Sequence, residues 1–163
     1  MNSGANVGIN VIYSGTIAAA IEAAFLGVPA IAVSLHIGES PRTQWQRAAE
    51  IARAAIDRVI EHPLDAHRVI SINVPRTEKA DAAMPALRVV RMNTSAGVDR
   101  HERRESPEGR AYYWPYGNGM EFFHTAQGSD VEALMAHNVT ITPLWYDLTD
   151  DASLAAWQKR LHA

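Results

Sequence analysis

The spacing of apolar positions changes along residues 16–75, and each spacing is typical of a different element. Residues 16–26 are alanine-rich and apolar on nearly every side, which predicts a buried helix. Residues 30–35 and 69–74 are short, apolar and β-branched, so both are predicted to be buried strands. Between them, apolar residues recur at helical spacing over 43–61. The order helix, strand, helix, strand indicates a parallel sheet with helices on both faces.

The pattern changes after the second strand, where polar loops separate short β-prone segments. Residues 87–92 are predicted to be a strand, and residues 93–109 are polar and predicted to be irregular. Residues 112–114 (Tyr-Tyr-Trp) are aromatic and β-prone, and residues 121–125 are a candidate returning strand. We therefore interpret residues 87–127 as an antiparallel extension. Exposed aromatic side chains on it indicate a partner surface, for example on another copy of the chain.

The carboxyl-terminal part of the chain predicts a helix, a strand and a second helix. The first helix covers residues 129–137 and begins with Ser129 and Asp130, which capping and the helix dipole favour at that position. Residues 139–144 alternate with period two, and residues 152–161 carry an apolar stripe at helical spacing. Together these elements predict one α/β domain.

Composition and charge narrow the classes of partner. The net charge is −3 and no basic block is present, so binding to a nucleic-acid polymer is not favoured. No apolar run reaches the length of a membrane span, so we expect no membrane partner. The chain has no cysteine that could form a disulfide, act as a nucleophile or bind a metal. These features favour a soluble, cytoplasmic protein.

The amino-terminal segment carries the most informative group of candidate binding residues. The amide oxygens of Asn2 and Asn6 are possible ligands of a hard cation, although carboxylates normally supply the charge of such a site. The alternative is that both amides satisfy the loop backbone. Ser14, Gly15 and Thr16 stand at a predicted helix start, where hydroxyls, backbone N–H groups and the helix dipole favour a bound phosphate. The alternative for this segment is a plain N-cap.

Three other positions have both a functional and a structural interpretation. His36 follows a buried strand, and ligands of open α/β sheets bind at the carboxyl ends of strands. We interpret Asp130 as a helix cap in preference to a residue that supports a site. We interpret the cluster Asp147, Asp150 and Asp151 as a loop and a helix start in preference to a cation site.

Several segments, taken together, resemble the SurE family of stationary-phase survival proteins. Residues 2–8 (Asn-Ser-Gly-Ala-Asn-Val-Gly) and 13–16 (Tyr-Ser-Gly-Thr) are similar to the family's signature loop and to the start of the helix that follows it. Weaker similarities follow in the family's order, at residues 29–35, 72–75 (Ile-Asn-Val-Pro), 113–114, 128–130, 140–144 and 147–149. The resemblance covers essentially the whole chain.

The resemblance implies a Rossmann-like three-layer α/β/α domain over residues 1–163, with an antiparallel β arm at about 76–127 that mediates homodimers or homotetramers. It also implies hydrolysis of nucleoside 5′- or 3′-monophosphates with a divalent metal, Mn²⁺ or Mg²⁺. The family's metal site uses an Asp pair, a Ser and an Asn, of which only the Asn has a counterpart here, assigned to Asn2. The residues that match the family's phosphate pocket are Asn6, Ser14, Gly15 and Thr16.

The family's Asp pair precedes the position of Met1, so the resemblance implies an N-terminally truncated domain. A gene model started at an internal Met would produce this chain, and so would a truncated paralogue. Three hypotheses stay open. The chain is a fragment of a metal-dependent nucleotidase whose catalytic residues are unassigned, a non-catalytic nucleotide-binding, phosphate-binding or assembly module, or a remnant that does not fold.

Overall fold

The computed structural model describes residues 1–38, 42–117 and 119–161, and the other residues of the predicted domain lie outside this description. The described residues form seven strands and four α-helices. In chain order these are β1 (Asn2–Ser3), α1 (Gly15–Phe25), β2 (Ala30–Leu35), α2 (Trp45–Ile60), β3 (Val69–Val74), β4 (Leu87–Val89), β5 (Arg100–Glu105), β6 (Ala111–Tyr116), α3 (Asp130–Met135), β7 (Val139–Leu144) and α4 (Asp151–Leu161). A 3₁₀ helix, Gly8–Tyr13, precedes α1.

Five strands form the main sheet in the order β1-β2-β3-β7-β4. Strands β1, β2 and β3 are parallel, β7 runs antiparallel to β3, and β4 is parallel to β7. The predicted strands at 30–35, 69–74 and 139–144 are therefore confirmed with the predicted bounds. The interpretation of residues 87–127 as one antiparallel extension is wrong for its first part, because β4 pairs with β7 inside the main sheet.

The sheet is covered by a helix on each face, which confirms the predicted three-layer architecture. On one face, Ile51 of α2 packs in a buried cluster with Leu35 and Ile72. On the other face, Ile17 of α1 packs in a second cluster with Ala32. Alternate residues of β2 thus face different helices, as the period-two geometry of a strand requires.

A separate two-stranded antiparallel sheet, the β5–β6 hairpin, consists of residues that are all exposed. The prediction that residues 93–109 are irregular is wrong for β5. Its sequence, Arg-His-Glu-Arg-Arg-Glu, carries no apolar alternation because neither face of the strand is buried. The predicted returning strand at 121–125 is also wrong, since this segment forms only an isolated bridge between Phe122 and Gly97.

The four predicted helices are confirmed, with ends that differ from the prediction by up to two residues. Helix α3 ends early because His137, just beyond it, has a φ of 59°, which a continuing helix does not allow. Helix α4 contributes no buried residue. Among the described residues, we find no helix with the length and apolar character needed to cross a membrane.

Candidate phosphate site at the amino-terminal loop

The site loop, residues 1–14, crosses the carboxyl ends of β2 and β3, and three hydrogen bonds hold Asn6 there. The Asn6 backbone N–H donates to Asn73 Oδ1 at 2.8 Å, and Asn73 Nδ2 donates to the Asn6 carbonyl at 3.0 Å. Asn6 Nδ2 donates to Ser34 Oγ at 2.7 Å. These bonds fix the orientation of the amide and leave Asn6 Oδ1 available as a ligand atom.

Asn2 lies in β1, where it pairs with Ser34 across the parallel ladder. Side chains that pair across a ladder point to the same face of a sheet, so Asn2 shares the face of Ser34, which is the face that Asn6 contacts. Asn2 Nδ2 donates to the Gly4 carbonyl at 2.9 Å, which leaves Asn2 Oδ1 as its free ligand atom. The structure therefore brings both predicted asparagines to one edge of the sheet.

Ser14 is the N-cap of α1, and its Oγ accepts a hydrogen bond from the Ile17 N–H at 3.1 Å. The cap interpretation is therefore correct for Ser14, whether or not a phosphate also binds there. Ser14 lines an apolar cavity of about 320 Å³ beside Ile21 and Phe25, which differs from the cavity that Asn10 lines. The 3₁₀ helix Gly8–Tyr13 contains Asn10 and ends directly before Ser14, so it connects the two cavities along the chain.

Asp130 is a buried carboxylate that holds the site loop through a hydrogen bond from Gly8. It is 1% exposed and accepts the N–H groups of Gly8 at 2.8 Å, Asn93 at 2.9 Å and Val131 at 2.8 Å. Burial raises the pKa of Asp130, against the opposing effect of these backbone donors. The preference for Asp130 as a helix cap is wrong, because the cap of α3 is Ser129, whose Oγ accepts from the backbone of the third helical residue.

Gly8 must be a glycine for two reasons at this contact. Its φ is 58°, in the left-handed region that L-residues with a side chain rarely adopt. A Cβ at this position would lie 2.9 Å from a ring carbon of Phe122. The close approach of the site loop to Phe122 and Asp130 therefore depends on the missing side chain.

A cleft of about 700 Å³ lies next to the site loop. Its lining includes Asn10 of the loop, His36 after β2 and Tyr116 at the end of β6. The pKa of His36 lies below its ordinary value because the ring is half-buried, and the positive charges of Arg76 and His137 lower it further. His36, a candidate from its position after a strand, therefore does lie in a cavity at the carboxyl end of the sheet.

Sequence reasoning missed a row of polar residues beneath the site loop. Ser34, Asn73 and Thr140 occupy paired positions on β2, β3 and β7, and each is at most 1% exposed. The Thr140 hydroxyl is buried without a hydrogen-bond partner among the described residues. The signal in the sequence is the presence of one or two polar residues in each of these otherwise apolar strands.

The donor set at this edge does not by itself fit a divalent cation. Asn2, Asn6 and Ser34 offer neutral oxygens, whereas hard-cation sites normally include carboxylates. Among the described residues, no group of three or more His, Asp or Glu is arranged to hold a metal. Asp147 and Asp150 accept local N–H groups of Thr149 and Ala152, so the loop and helix-start interpretation is correct for them.

The sequence of the site loop and of the first strands has a counterpart in a known family. A family model described as "Survival protein SurE" matches residues 1–97, which contain the site loop, β2, α2 and β3. The chain belongs to the SurE family. This match includes Asn2, Asn6 and the start of α1, whereas Asp130 and Thr140 lie outside it.

Similar SurE proteins extend beyond the length of this chain. The 5′-nucleotidase SurE of Carboxydothermus hydrogenoformans is 34% identical over 164 residues, which cover 99% of this chain and 61% of the relative. The 5′-nucleotidase SurE of Nitrosococcus oceani is 40% identical over 167 residues, which cover 99% of this chain and 63% of the relative. The chain thus spans less than two thirds of these curated relatives.

A comparison with solved structures also finds a SurE protein. The crystal structure of the SurE protein from Aquifex aeolicus matches with a TM-score of 0.72 at 26% sequence identity. The match covers 97% of this chain and 62% of that chain. The three-layer α/β arrangement described above is therefore the SurE fold, over the part that the chain contains.

Proposed function

We propose that this chain forms the phosphate-binding part of a metal-dependent phosphomonoesterase that hydrolyses nucleoside 5′- or 3′-monophosphates. The observation that carries the proposal is the position of Asn2 and Asn6 on one loop at the carboxyl ends of parallel strands. Ligands of open α/β sheets bind at that edge. Relatives that share this loop are named 5′-nucleotidases.

Ser14, Gly15 and Thr16, at the start of α1, are the residues that we propose to bind this phosphate together with Asn6. The first backbone N–H groups of a helix have no acceptor within the helix, and the helix dipole adds positive potential at this end. Space is available, since a Cβ built on Gly15 would meet nothing within 4 Å. We therefore propose that the phosphoryl oxygens bind to the Gly15 and Thr16 N–H groups and to the two hydroxyls.

The cofactor that we propose for the whole protein is Mn²⁺ or Mg²⁺, with Asn2 as one neutral ligand through Oδ1. A cation at this edge would neutralise phosphate charge. Because the described residues supply only neutral oxygens there, carboxylates from elsewhere must complete such a site, and we assign no catalytic step to the cation. Asn6, held by Asn73 and Ser34, is the residue that we propose to orient the phosphate.

Phosphate release from AMP and 3′-AMP tests the proposal. We expect the whole protein, in which carboxylates complete the cation site, to release phosphate with added Mn²⁺ or Mg²⁺ and not after EDTA treatment. Turnover that survives chelation would contradict metal dependence. Asn2→Ala should raise the metal concentration needed, and Asn6→Ala should raise KM for the nucleotide. Gln158→Ala, an exposed amide in α4, is the control that should change neither.

A non-catalytic nucleotide- or phosphate-binding module is the second candidate, and the neutral donor set favours it. It predicts that AMP binds, as measured by calorimetry, without phosphate release in the presence of either metal. A loss of AMP binding in Asn6→Ala would locate that binding at the same loop.

We propose a homodimer or homotetramer, with the β5–β6 hairpin as the contact surface. Two-stranded sheets are marginally stable when isolated, and the hairpin exposes Tyr113 and Trp114 at 66% and 51%. Exposed aromatic residues of this kind are enriched in protein–protein interfaces. The hairpin lies within the predicted arm at about 76–127.

A further inference from the structure

The cleft beside the site loop has an aromatic wall that the phosphate site does not explain. Tyr116 is the last residue of β6, is 54% exposed and lines the same cleft as Asn10 and His36. The cleft volume of about 700 Å³ is in the range of small-molecule sites. A wall of this kind suits a flat, aromatic part of a ligand.

Contacts at the base of the hairpin hold this wall against the site loop. Asn10 Nδ2 donates to the Gly119 carbonyl at 2.8 Å, directly beside the cleft. The Val98 N–H donates to the Glu121 carbonyl at 2.9 Å, and Arg100 forms an ion pair with Glu121 at 2.8 Å. The position of Tyr116 is thus coupled to the loop that carries Asn6.

His36 also lines the cleft and follows β2 at the edge of the sheet, where it borders a smaller cavity with Arg76 and His137 as well. Its backbone N–H donates to the Val74 carbonyl at 2.9 Å, so the chain continues the ladder of β2 by one bond. Residues two apart on a strand share a face, which places His36 on the face of Ser34, one step further out. Because the pKa of His36 is lowered, the ring is neutral near pH 7 and offers one donor and one acceptor.

We propose that the cleft between Tyr116 and His36 is the nucleobase subsite, in which Tyr116 stacks on the base and His36 binds its polar edge. The inference rests on the proposed function, because it assigns the base of the same nucleotide whose phosphate binds at the site loop. Any base offers an aromatic face, so stacking gives affinity without strong base selectivity.

Calorimetric titrations of the full chain with AMP and with ribose 5-phosphate test this subsite, because the two ligands differ by the base alone. The wild-type chain should bind AMP more tightly. Tyr116→Ala should weaken AMP binding by at least about fivefold and leave ribose 5-phosphate unchanged. Tyr116→Phe keeps the ring and should restore AMP binding, and His36→Ala should weaken AMP binding alone.

Trp45→Ala, which removes an exposed aromatic side chain of α2 that does not line the cleft, is the matched control. Equal affinities of the wild type for the two ligands would overturn the base subsite and leave the phosphate site standing. Equal losses for both ligands in Tyr116→Ala would overturn it as well. If neither ligand binds the wild-type chain, the proposed function fails together with this inference.

Discussion

Asp130 has the most consequential side chain beneath the site loop, since one carboxylate joins three chain segments. Its carboxylate oxygens accept hydrogen bonds from the backbone N–H groups of Gly8 in the loop, Asn93 after β4 and Val131 in α3. Only a group with several acceptor positions serves three donors at once. The loop geometry therefore depends on a residue far away in the sequence.

Replacing Asp130 with Asn should destabilise the fold. The amide has one acceptor oxygen in place of two, so buried N–H groups lose their partners, at a cost of about 1–3 kcal/mol in the free energy of unfolding. Urea denaturation measures the change. Asp81→Asn, at an exposed position, should stay within about 0.5 kcal/mol of the wild type. A loss no larger than that for Asp130→Asn would contradict the role assigned to the carboxylate.

The half-buried ring of His36 should make stability depend on pH. Its pKa is lowered by burial, then by Arg76 and His137, so the unfolded chain takes up this proton first as the pH falls. Below the ordinary histidine pKa of about 6.5, the unfolded state therefore binds more protons and the free energy of unfolding decreases, until the lower folded pKa is passed. Urea titrations from about pH 7.5 to about pH 5 should give a shallower decrease for His36→Asn than for the wild type. Parallel curves would contradict this.

Residue identity alone pointed to candidate positions in the site loop but left their structural alternatives open, and the family resemblance supplied their proposed roles. Asn2, Asn6 and Ser14 could be found because polar residues collect in one segment before an apolar helix. The support from Asn73 and Asp130 could not, because it depends on which strands become neighbours and how α3 packs under the loop. The same limit applies to Tyr116, whose hairpin is positioned by contacts between distant segments.

At the scale of elements, local signals were sufficient where a face is buried. Strands β2, β3 and β7 were predicted with the observed bounds because burial demands apolar side chains. Strand β5 was missed because it has no buried face and its order comes from pairing with β6. A strand was predicted over residues 87–92, but β4 ends at Val89. Its predicted pairing was also wrong, since a three-residue strand does not specify its partner.

The cap of α1 gives a prediction about one element that also tests the phosphate proposal. Ser14→Ala removes the acceptor of the Ile17 N–H and should lower the free energy of unfolding by about 1 kcal/mol. Ser14→Asp keeps a cap acceptor and should retain stability, but its negative charge should abolish phosphate binding at the helix start. Thermal unfolding and phosphate titration separate the two effects. Unchanged phosphate affinity in Ser14→Asp would remove Ser14 from the proposed site.

At the scale of the whole molecule, β5 and β6 are the two strands that lie outside the main sheet. The hydrogen bond between Val98 and Glu121 joins the two chain segments that lead into and out of the hairpin. Residues 100–116 can therefore be replaced by a short Gly-Ser linker without pulling on the core. The unfolding temperature of the core should then remain similar to that of the wild type.

Size-exclusion chromatography with light scattering measures the mass of the complete chain and of the chain that lacks the hairpin. If copies associate through it, the complete chain should have a mass of two or four chains and the shortened chain a mass of one. A complete chain that is monomeric, or a shortened chain that keeps the larger mass, would contradict the assembly proposed here.

Helix α4 has favourable local signals but no buried residue. Asp150 accepts the N–H groups of Ala152 and Ser153 at its start, and Lys159 and Arg160 lie in its last turn. An 11-residue helix is marginal in water unless tertiary contacts support it, and no residue of α4 is buried. Its order is therefore conditional on a surface that covers its apolar side.

Amide hydrogen exchange measures whether α4 is ordered in the isolated chain or only when another surface covers its apolar side. In the dilute chain, α4 amides should exchange close to the rate of unfolded peptide, whereas those of α2, which packs Ala48 and Ile51 in the core, should be protected. Slow exchange in α4 at low protein concentration would contradict this expectation. If the protection of the α4 amides rises with protein concentration, Leu154 and Trp157 become buried when copies of the chain associate. Exchange in α4 would then report association directly.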